Sequence, residues 1–413
     1  MGYELLTIFR KTRVKQISAL YASMITGIFV GIIVSVLNTR LLGPERFGDF
    51  RFIHSAYSFF ALILAFGFLV TSSKMLAEKK NENIRKEIIG ASLIINSVIG
   101  FVFIGVMIVF GIFQKHFFAN DLSRIIIYVS PLMFFVPFIH GMENLYQGEN
   151  RIYELSLFRQ IPQILYIPGI LILFYMGRVS VITALYCQLL IYGAVIIAGC
   201  IRLRPQFSEL KTPFKQILYE NRIYGFNVYI GSLIGVASTQ FGPLAISFFS
   251  DTNISVGYYS LALTITMPLA MIPSVVGTAM FKEFANRKNI PARATFWTVL
   301  ISAVSLTAFL FFVKPLVTIL YSDQFINAVK LAYIVSAGQI FHGFGNYYNR
   351  FLGSKGQGKS LRNGAMVVGV VNLIGFMTLV PKFGAEGAAF TKLASGIVFL
   401  GSMFFYYKRY IHK

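Results

Sequence analysis

Gln339, His342, Asn346, Asn349 and Arg350 follow one another inside an otherwise apolar stretch. Their spacings of three, four, three and one put all five on one face of a helix. An earlier stretch repeats the arrangement with His140, Glu143, Asn144 and Gln147. Cations stand at the ends of other apolar stretches or inside them: Arg40, Arg51, Arg159, Arg222 and Lys392, with His54 beside Arg51. No Asp or Glu occupies the middle of an apolar stretch; Glu143, Asp251, Asp323 and Glu386 lie near ends or in connections. Guanidinium groups match phosphate oxygens in pairs, and amides and aromatic rings suit sugars. Arg, Lys, His, Asn and Gln without carboxylates therefore suit an anionic, hydroxyl-rich ligand. The candidate contacts are Arg40, Arg51, His54, His140, Asn144, Arg159, Gln339, His342, Asn346, Arg350 and Lys392. The alternative for each cation is a stem lying along apolar surface with its head at the interface; Arg51 with His54, and Lys392, fit that alternative least. For His140 and His342 it is a hydrogen bond between helices.

Residues 353–360, Gly353-Ser354-Lys355-Gly356-Gln357-Gly358-Lys359-Ser360, match the phosphate-loop pattern G-x4-G-K-[ST] in full. That loop works only between a buried strand and a helix, held in a parallel sheet. Here apolar helices flank it, and the connection is too short for the rest of an ATPase. What remains is a basic turn opening a helix. Its amides, with Lys355, Lys359 and Arg362, make a candidate contact for a lipid pyrophosphate, because helix N-termini favour anions. No cofactor and no metal ligand set is expected.

The elements that must position these residues follow from composition. Of the 413 residues 56% are hydrophobic and only 13% charged, about half the charged share of a soluble domain. Apolar blocks long enough to cross a hydrocarbon core of ~30 Å recur along the chain. Lipid offers the backbone no partners, so each must be a helix. The blocks predict helices over 17–39, 52–72, 88–113, 125–142, 158–176, 179–200, 223–249, 258–280, 294–313, 326–348, 363–380 and 386–407. The fold expected is an all-α membrane protein of twelve transmembrane helices without a soluble catalytic domain. The net charge of +21 does not point to nucleic acid. Alternate connections and both terminal segments hold 27 of the 37 Lys and Arg, the pattern of cytoplasmic loops, so both termini are expected in the cytoplasm. Cys187 and Cys200 fall on one predicted helix, ~20 Å apart at ~1.5 Å per residue, too far for a disulfide.

The chain also resembles itself. His140-Gly141-Met142-Glu143-Asn144-Leu145-Tyr146 aligns with His342-Gly343-Phe344-Gly345-Asn346-Tyr347-Tyr348. Ala77 to Asn81 aligns with Ala285 to Asn289, and Gly48 with Gly257, in the same order as the helices. Six helices per half give parallel halves, with substrate between them. The expected organisation is an N-terminal six-helix lobe over 1–205, a cytoplasmic linker over 206–222 and a C-terminal six-helix lobe over 223–413, around a central cavity.

Leu41-Leu42-Gly43-Pro44-Glu45-Arg46-Phe47-Gly48-Asp49-Phe50 resembles the LGPExFGxY signature of the Wzx-type polysaccharide repeat-unit flippases, within the multidrug/oligosaccharidyl-lipid/polysaccharide exporter superfamily. Val256-Gly257-Tyr258-Tyr259, Leu320-Tyr321-Ser322-Asp323-Gln324-Phe325 and Phe383-Gly384-Ala385-Glu386-Gly387-Ala388-Ala389 resemble three further motifs of that family, in its order. The resemblance implies a flippase carrying undecaprenyl-pyrophosphate-linked oligosaccharide across the bacterial inner membrane for O-antigen or capsule synthesis. It also implies alternating access, an H+ or Na+ counter-ion, and work alongside polysaccharide polymerase and chain-length proteins. Readings set beside it are a multidrug exporter of organic cations, a glycan polymerase or ligase, a membrane scaffold and a peptidoglycan-precursor flippase.

Overall fold

The computed structural model describes residues 2–79 and 81–412, with side chains from residue 26 onward except at 227, 231–232 and 234–239. Lys80, from one of the repeated segments, lies outside them, as do the side chains of the basic N-terminal stretch. Among the described residues the regular elements are all helices. Seven are long and apolar enough to cross a membrane: α1 (Gly2–Ile63), α3 (Glu82–Phe117), α6 (Ile152–Tyr175), α7 (Val181–Leu203), α10 (Ile254–Ala279), α12 (Ala292–Tyr321) and α14 (Gly358–Ile411). An eighth counts if α4 (Ser123–Val129) and α5 (Val136–Gly148), bent by 63° across a 3-10 turn, form one span. The remaining helices are α2 (Phe68–Glu78), α8 (Lys211–Glu220), α9 (Phe226–Phe248), α11 (Phe281–Asn286) and α13 (Asn327–Ser354).

The differences from the expected helices have local causes. α1 and α14 each contain a corner, at Gly43 (φ 73°) and Gly384 (φ 54°). Glycine enters these left-handed conformations without a Cβ penalty, and Pro44 behind the first corner cannot donate to the preceding turn. The predicted helix over 52–72 breaks between α1 and α2, where Phe66 and Gly67 also have positive φ. The predicted helix over 125–142 bends where Pro131 and Pro137 withdraw backbone donors. The predicted linker 206–222 contains the short helix α8.

The chain divides into two compact units, each discontinuous in sequence. Unit 1 comprises residues 1–37, 60–113 and 123–230; unit 2 comprises 38–59, 114–122 and 231–413. These bounds differ from the expected lobes and linker in the segments 38–59, 114–122 and 206–230.

In unit 1 the break before α2 is tied to the segment leading into α9. Asn221 Nδ2 donates to Phe66 O at 3.1 Å, and Thr71 Oγ1 donates to Asn221 Oδ1 at 3.0 Å. The Tyr229 hydroxyl donates to Ile63 O. Carbonyls released by a broken helix are thus re-satisfied, as an apolar surrounding demands. A Cβ on Gly67 would strike the backbone of Gly225. Lys74 pairs with Glu220 at 3.0 Å, and that hydrogen bond holds its ammonium above its ordinary pKa.

In unit 2 helices meet backbone to backbone. A Cβ on Gly48 would run into the Asn253 backbone; one on Gly257 would lie 2.9 Å from Pro44 O and 3.2 Å from Gly48 N. The two glycines that the internal alignment makes equivalent are therefore in contact. α13 and the second arm of α14 run parallel: Gly338 lies against Lys392 and Leu393, Gly396 against Gly338, and Gly345 against Phe399. Large apolar side chains such as Phe101, Phe311 and Phe312 stay exposed, as lipid contact permits. Gly48→Val is expected to destabilise the protein by about 1–3 kcal/mol, the range for overpacking. Gly105→Ala, with nothing near its position, should not lower the melting temperature. Thermal unfolding in detergent reads both.

Candidate functional site

Three of the sequence motifs build one joint in unit 2. The Phe47 ring meets Phe325 edge-on at 5.9 Å, and Tyr258 meets the same ring at 6.0 Å. The Tyr258 hydroxyl donates to Gln324 O at 3.1 Å, and Gly43 lies beside the Gln324 side chain. Asn253 Nδ2 donates to Asp49 Oδ1 at 2.8 Å. The guanidinium of Arg40 donates to Leu320 O at 2.7 Å and to Ile319 O, capping the last turn of α12. Arg40 thus serves a helix end, where cations are favoured.

Other candidates stand differently. Arg51 Nε is buried and has no hydrogen-bond partner among the described residues. His54 stacks on Tyr57 at 4.7 Å, and the Arg51 charge acts on its imidazole. On α13 the His342 ring lies 4.8 Å from that of Phe399, with Nδ1 buried and unbonded. The Lys392 charge acts on that ring. Lys392 is half-buried and forms no ion pair among the described residues. Gln339 is buried, Asn346 half-buried and Arg350 exposed, while Asn349 Nδ2 points to Met403 Sδ at 3.7 Å. The glycine crossing of α13 over α14 sets these positions, because His342 follows Gly338, and Lys392 precedes Gly396, by about one turn.

The equivalent stripe in unit 1 is spent locally. Asn144 Nδ2 donates to His140 O at 2.8 Å, one turn back, and His140 is exposed. Arg159 Nε donates to Glu143 Oε1 at 2.7 Å, with Arg159 itself exposed. The matching His-Gly-x-x-Asn segments thus differ in use: on α5 Asn144 bonds its own helix and Glu143 pairs with Arg159, while on α13 His342 Nδ1 is unbonded among the described residues. Unit 1 also has a mainly apolar cavity of about 620 Å³, walled by Phe158, Ile161, Leu165 and Val195, with Glu154 and Arg202 at its rim.

The basic turn links two helices, as expected, and its three candidate cations stand apart. No strand precedes 353–360, and Gly356 turns the chain at φ 68°, so nothing here builds a nucleotide loop. Lys355 donates to Ala285 O at 3.1 Å and lies over the Phe351 ring. Lys359 instead lines a cavity of about 530 Å³, with Lys288 and Arg409. Arg362 is exposed and does not line it. Sequence reasoning missed Lys288 and Arg409 because each counted only as a loop charge; the signal was three basic connections on one side of the predicted topology.

Two substitutions separate structural cations from free ones. Arg40→Met leaves the Leu320 and Ile319 carbonyls uncapped, and hydrogen bonds to a charged group contribute roughly 1.5–3 kcal/mol each, so a clear fall in thermal stability is expected. A double-mutant cycle on the half-exposed Arg159–Glu143 pair should give a coupling below about 1 kcal/mol.

The chain is 21% identical to an uncharacterized membrane protein of Methanocaldococcus jannaschii, over 93% of this chain and 81% of that protein. Its fold is similar to that of the lipid II flippase MurJ in an inward closed conformation (TM-score 0.75, 18% identity, 94% of this chain and 87% of that one). It is also similar to a multidrug resistance MATE family transporter of the MOP superfamily in an inward-facing conformation (TM-score 0.71, 16% identity, 96% and 98%). These likenesses give a MurJ- and MATE-like fold, and the seven long apolar helices among the described residues make it a multi-pass membrane protein. The family described as polysaccharide biosynthesis protein matches residues 14–285, more than half of the sequence, and the chain belongs to that family.

Proposed function

We propose that this protein is a flippase that moves lipid-linked oligosaccharide repeat units, carried on undecaprenyl pyrophosphate, across the bacterial inner membrane for O-antigen or capsule synthesis. The observation that carries the reading is that two cations set within helices of unit 2, Arg51 and Lys392, have no anionic partner among the described residues. A cation inside a membrane costs roughly 2.5–3.5 kcal/mol on insertion scales, and an anionic passenger offsets that cost. Membership of a polysaccharide biosynthesis family supports a glycan as cargo, and the likeness to a lipid II flippase supports a lipid-linked one.

In this reading the chain crosses the membrane twelve times, the corners at Gly43 and Gly384 each joining two spans. Both termini face the cytoplasm. Two six-helix lobes work by alternating access around a central cavity. Arg51 and Lys392 receive the pyrophosphate, and Gln339, His342 and Asn346 meet sugar hydroxyls beside it. His140 and His342 are the candidate groups for a proton counter-flow. A carrier of organic cations is the neighbouring reading, supported by the likeness to a multidrug transporter; the two require opposite charge in the path.

Deletion of the gene in its host is expected to abolish the surface glycan, with restoration by the wild-type chain. Arg51→Gln and Lys392→Gln should each lower restoration at least tenfold at equal protein level, while Arg350→Gln restores it. Normal surface glycan in the deletion strain, with no second flippase present, would refute the reading. Loss of resistance to organic cations instead would favour the multidrug carrier.

A further inference from the structure

The cavity beside Lys359 lies away from the mid-helix cations Arg51 and Lys392, at the end of unit 2 where the α11–α12 connection, the α13–α14 connection and the end of α14 come together. Each of the three supplies one cation to the wall: Lys288, Lys359 and Arg409. None of them has a carboxylate partner among the described residues, whereas their neighbour Arg287 is paired with Glu283 at 2.7 Å. Three like charges around one hollow repel each other unless an anion joins them. The remaining wall is neutral and hydrogen-bonding: Gln357, Ser360, Asn363, Tyr406 and Tyr410, all half-buried.

The cavity is held open by contacts that use none of the three cations. Lys355 donates to Ala285 O at 3.1 Å and joins the α13–α14 connection to the last turn of α11. The Tyr407 hydroxyl accepts from Ile290 N at 3.2 Å and joins the first connection to the end of α14. Asn363 Nδ2 donates to the Tyr406 hydroxyl at 3.3 Å across the wall. Beneath them Phe284, Tyr347 and Phe351 are fully buried and pack edge to face. A volume of about 530 Å³ falls in the range of small-molecule sites. It admits a diphosphate together with an attached polar group.

We propose that this cavity is a binding site for the phosphate or diphosphate headgroup of a lipid, at the membrane face where the basic connections gather. Lys288, Lys359 and Arg409 neutralise the phosphate oxygens, and the amide, hydroxyl and tyrosine wall hydrogen-bonds what the phosphate carries. Occupation by the proposed cargo rests on the flippase reading; occupation by an anionic phospholipid does not. The site would then hold a headgroup at the leaflet surface, before or beside the mid-helix path.

The test uses the purified full-length protein. Binding of inorganic pyrophosphate and of farnesyl diphosphate is measured by titration calorimetry in detergent at low salt. Retention of phosphatidylglycerol against phosphatidylcholine is measured by native mass spectrometry from mixed nanodiscs. The triple variant Lys288→Gln/Lys359→Gln/Arg409→Gln is expected to lose at least tenfold in affinity for the anions. All three side chains are exposed, and an unchanged melting temperature verifies folding. Lys314→Gln/Lys382→Gln, at exposed cations away from the cavity, should leave affinity unchanged, and raised salt should weaken wild-type binding. Loss of farnesyl diphosphate alone identifies a diphosphate lipid as occupant; loss of phosphatidylglycerol retention identifies a phospholipid. Wild-type protein that binds neither anion nor retains phosphatidylglycerol, or a triple variant that matches it in every measurement, overturns the site. Binding lost in the triple variant alongside normal surface glycan in the deletion strain keeps the site and refutes the flippase reading. Restored glycan with unaltered binding does the reverse.

Discussion

Helices in lipid gain little from hiding apolar surface from one another, since the surrounding tails are equally apolar; what holds them together is close contact. In unit 2 that contact is made at glycines. Gly48 meets Asn253, Gly257 meets Gly48, Gly343 meets Ala270, and Gly338 meets both Lys392 and Gly396. The polar side chains inherit their places from these crossings. His342 can lie against Phe399, and Lys392 can act on His342, only because α13 and α14 approach until backbone touches backbone. A larger residue at Gly338 would separate the helices before it altered any charge.

The second demand of an apolar surrounding is that every break in a helix be answered. The corner at Gly43 places Pro44 where a donor is missing anyway, and the end of α12 receives the Arg40 guanidinium. The interruption between α1 and α2 is met by Asn221 and Tyr229. Many of the polar side chains in this protein therefore serve the backbone, leaving few for a ligand. Arg51 Nε and His342 Nδ1 are among the buried side-chain atoms that, among the described residues, have no such bond.

The apolar blocks were legible in the sequence because hydrophobic length is a one-dimensional property. The corners at Gly43 and Gly384 were nearly so, since each falls in a motif whose glycine needs positive φ. What was not legible was which cation is occupied. Arg40 and Lys392 look alike in sequence, each an isolated charge beside apolar residues. Arg40 is engaged by carbonyls some 280 positions away, at Ile319 and Leu320, and no local pattern announces that. His140 and His342 sit in matching segments, yet it is His342 whose ring lies against an aromatic one, Phe399. The cavity escaped for a related reason. Lys288, Lys359 and Arg409 belong to three segments whose basic character already had an explanation in topology.

The contact between Gly48 and Gly257 carries a consequence for how this sequence can change. Positions that the internal alignment makes equivalent touch each other within unit 2, as residues do on the symmetry axis of a self-complementary dimer. Each half is thus part of the environment in which the other half's motif is tested. A side chain gained at one glycine must be accommodated at its counterpart, so the two copies cannot drift independently here, however far they diverge elsewhere.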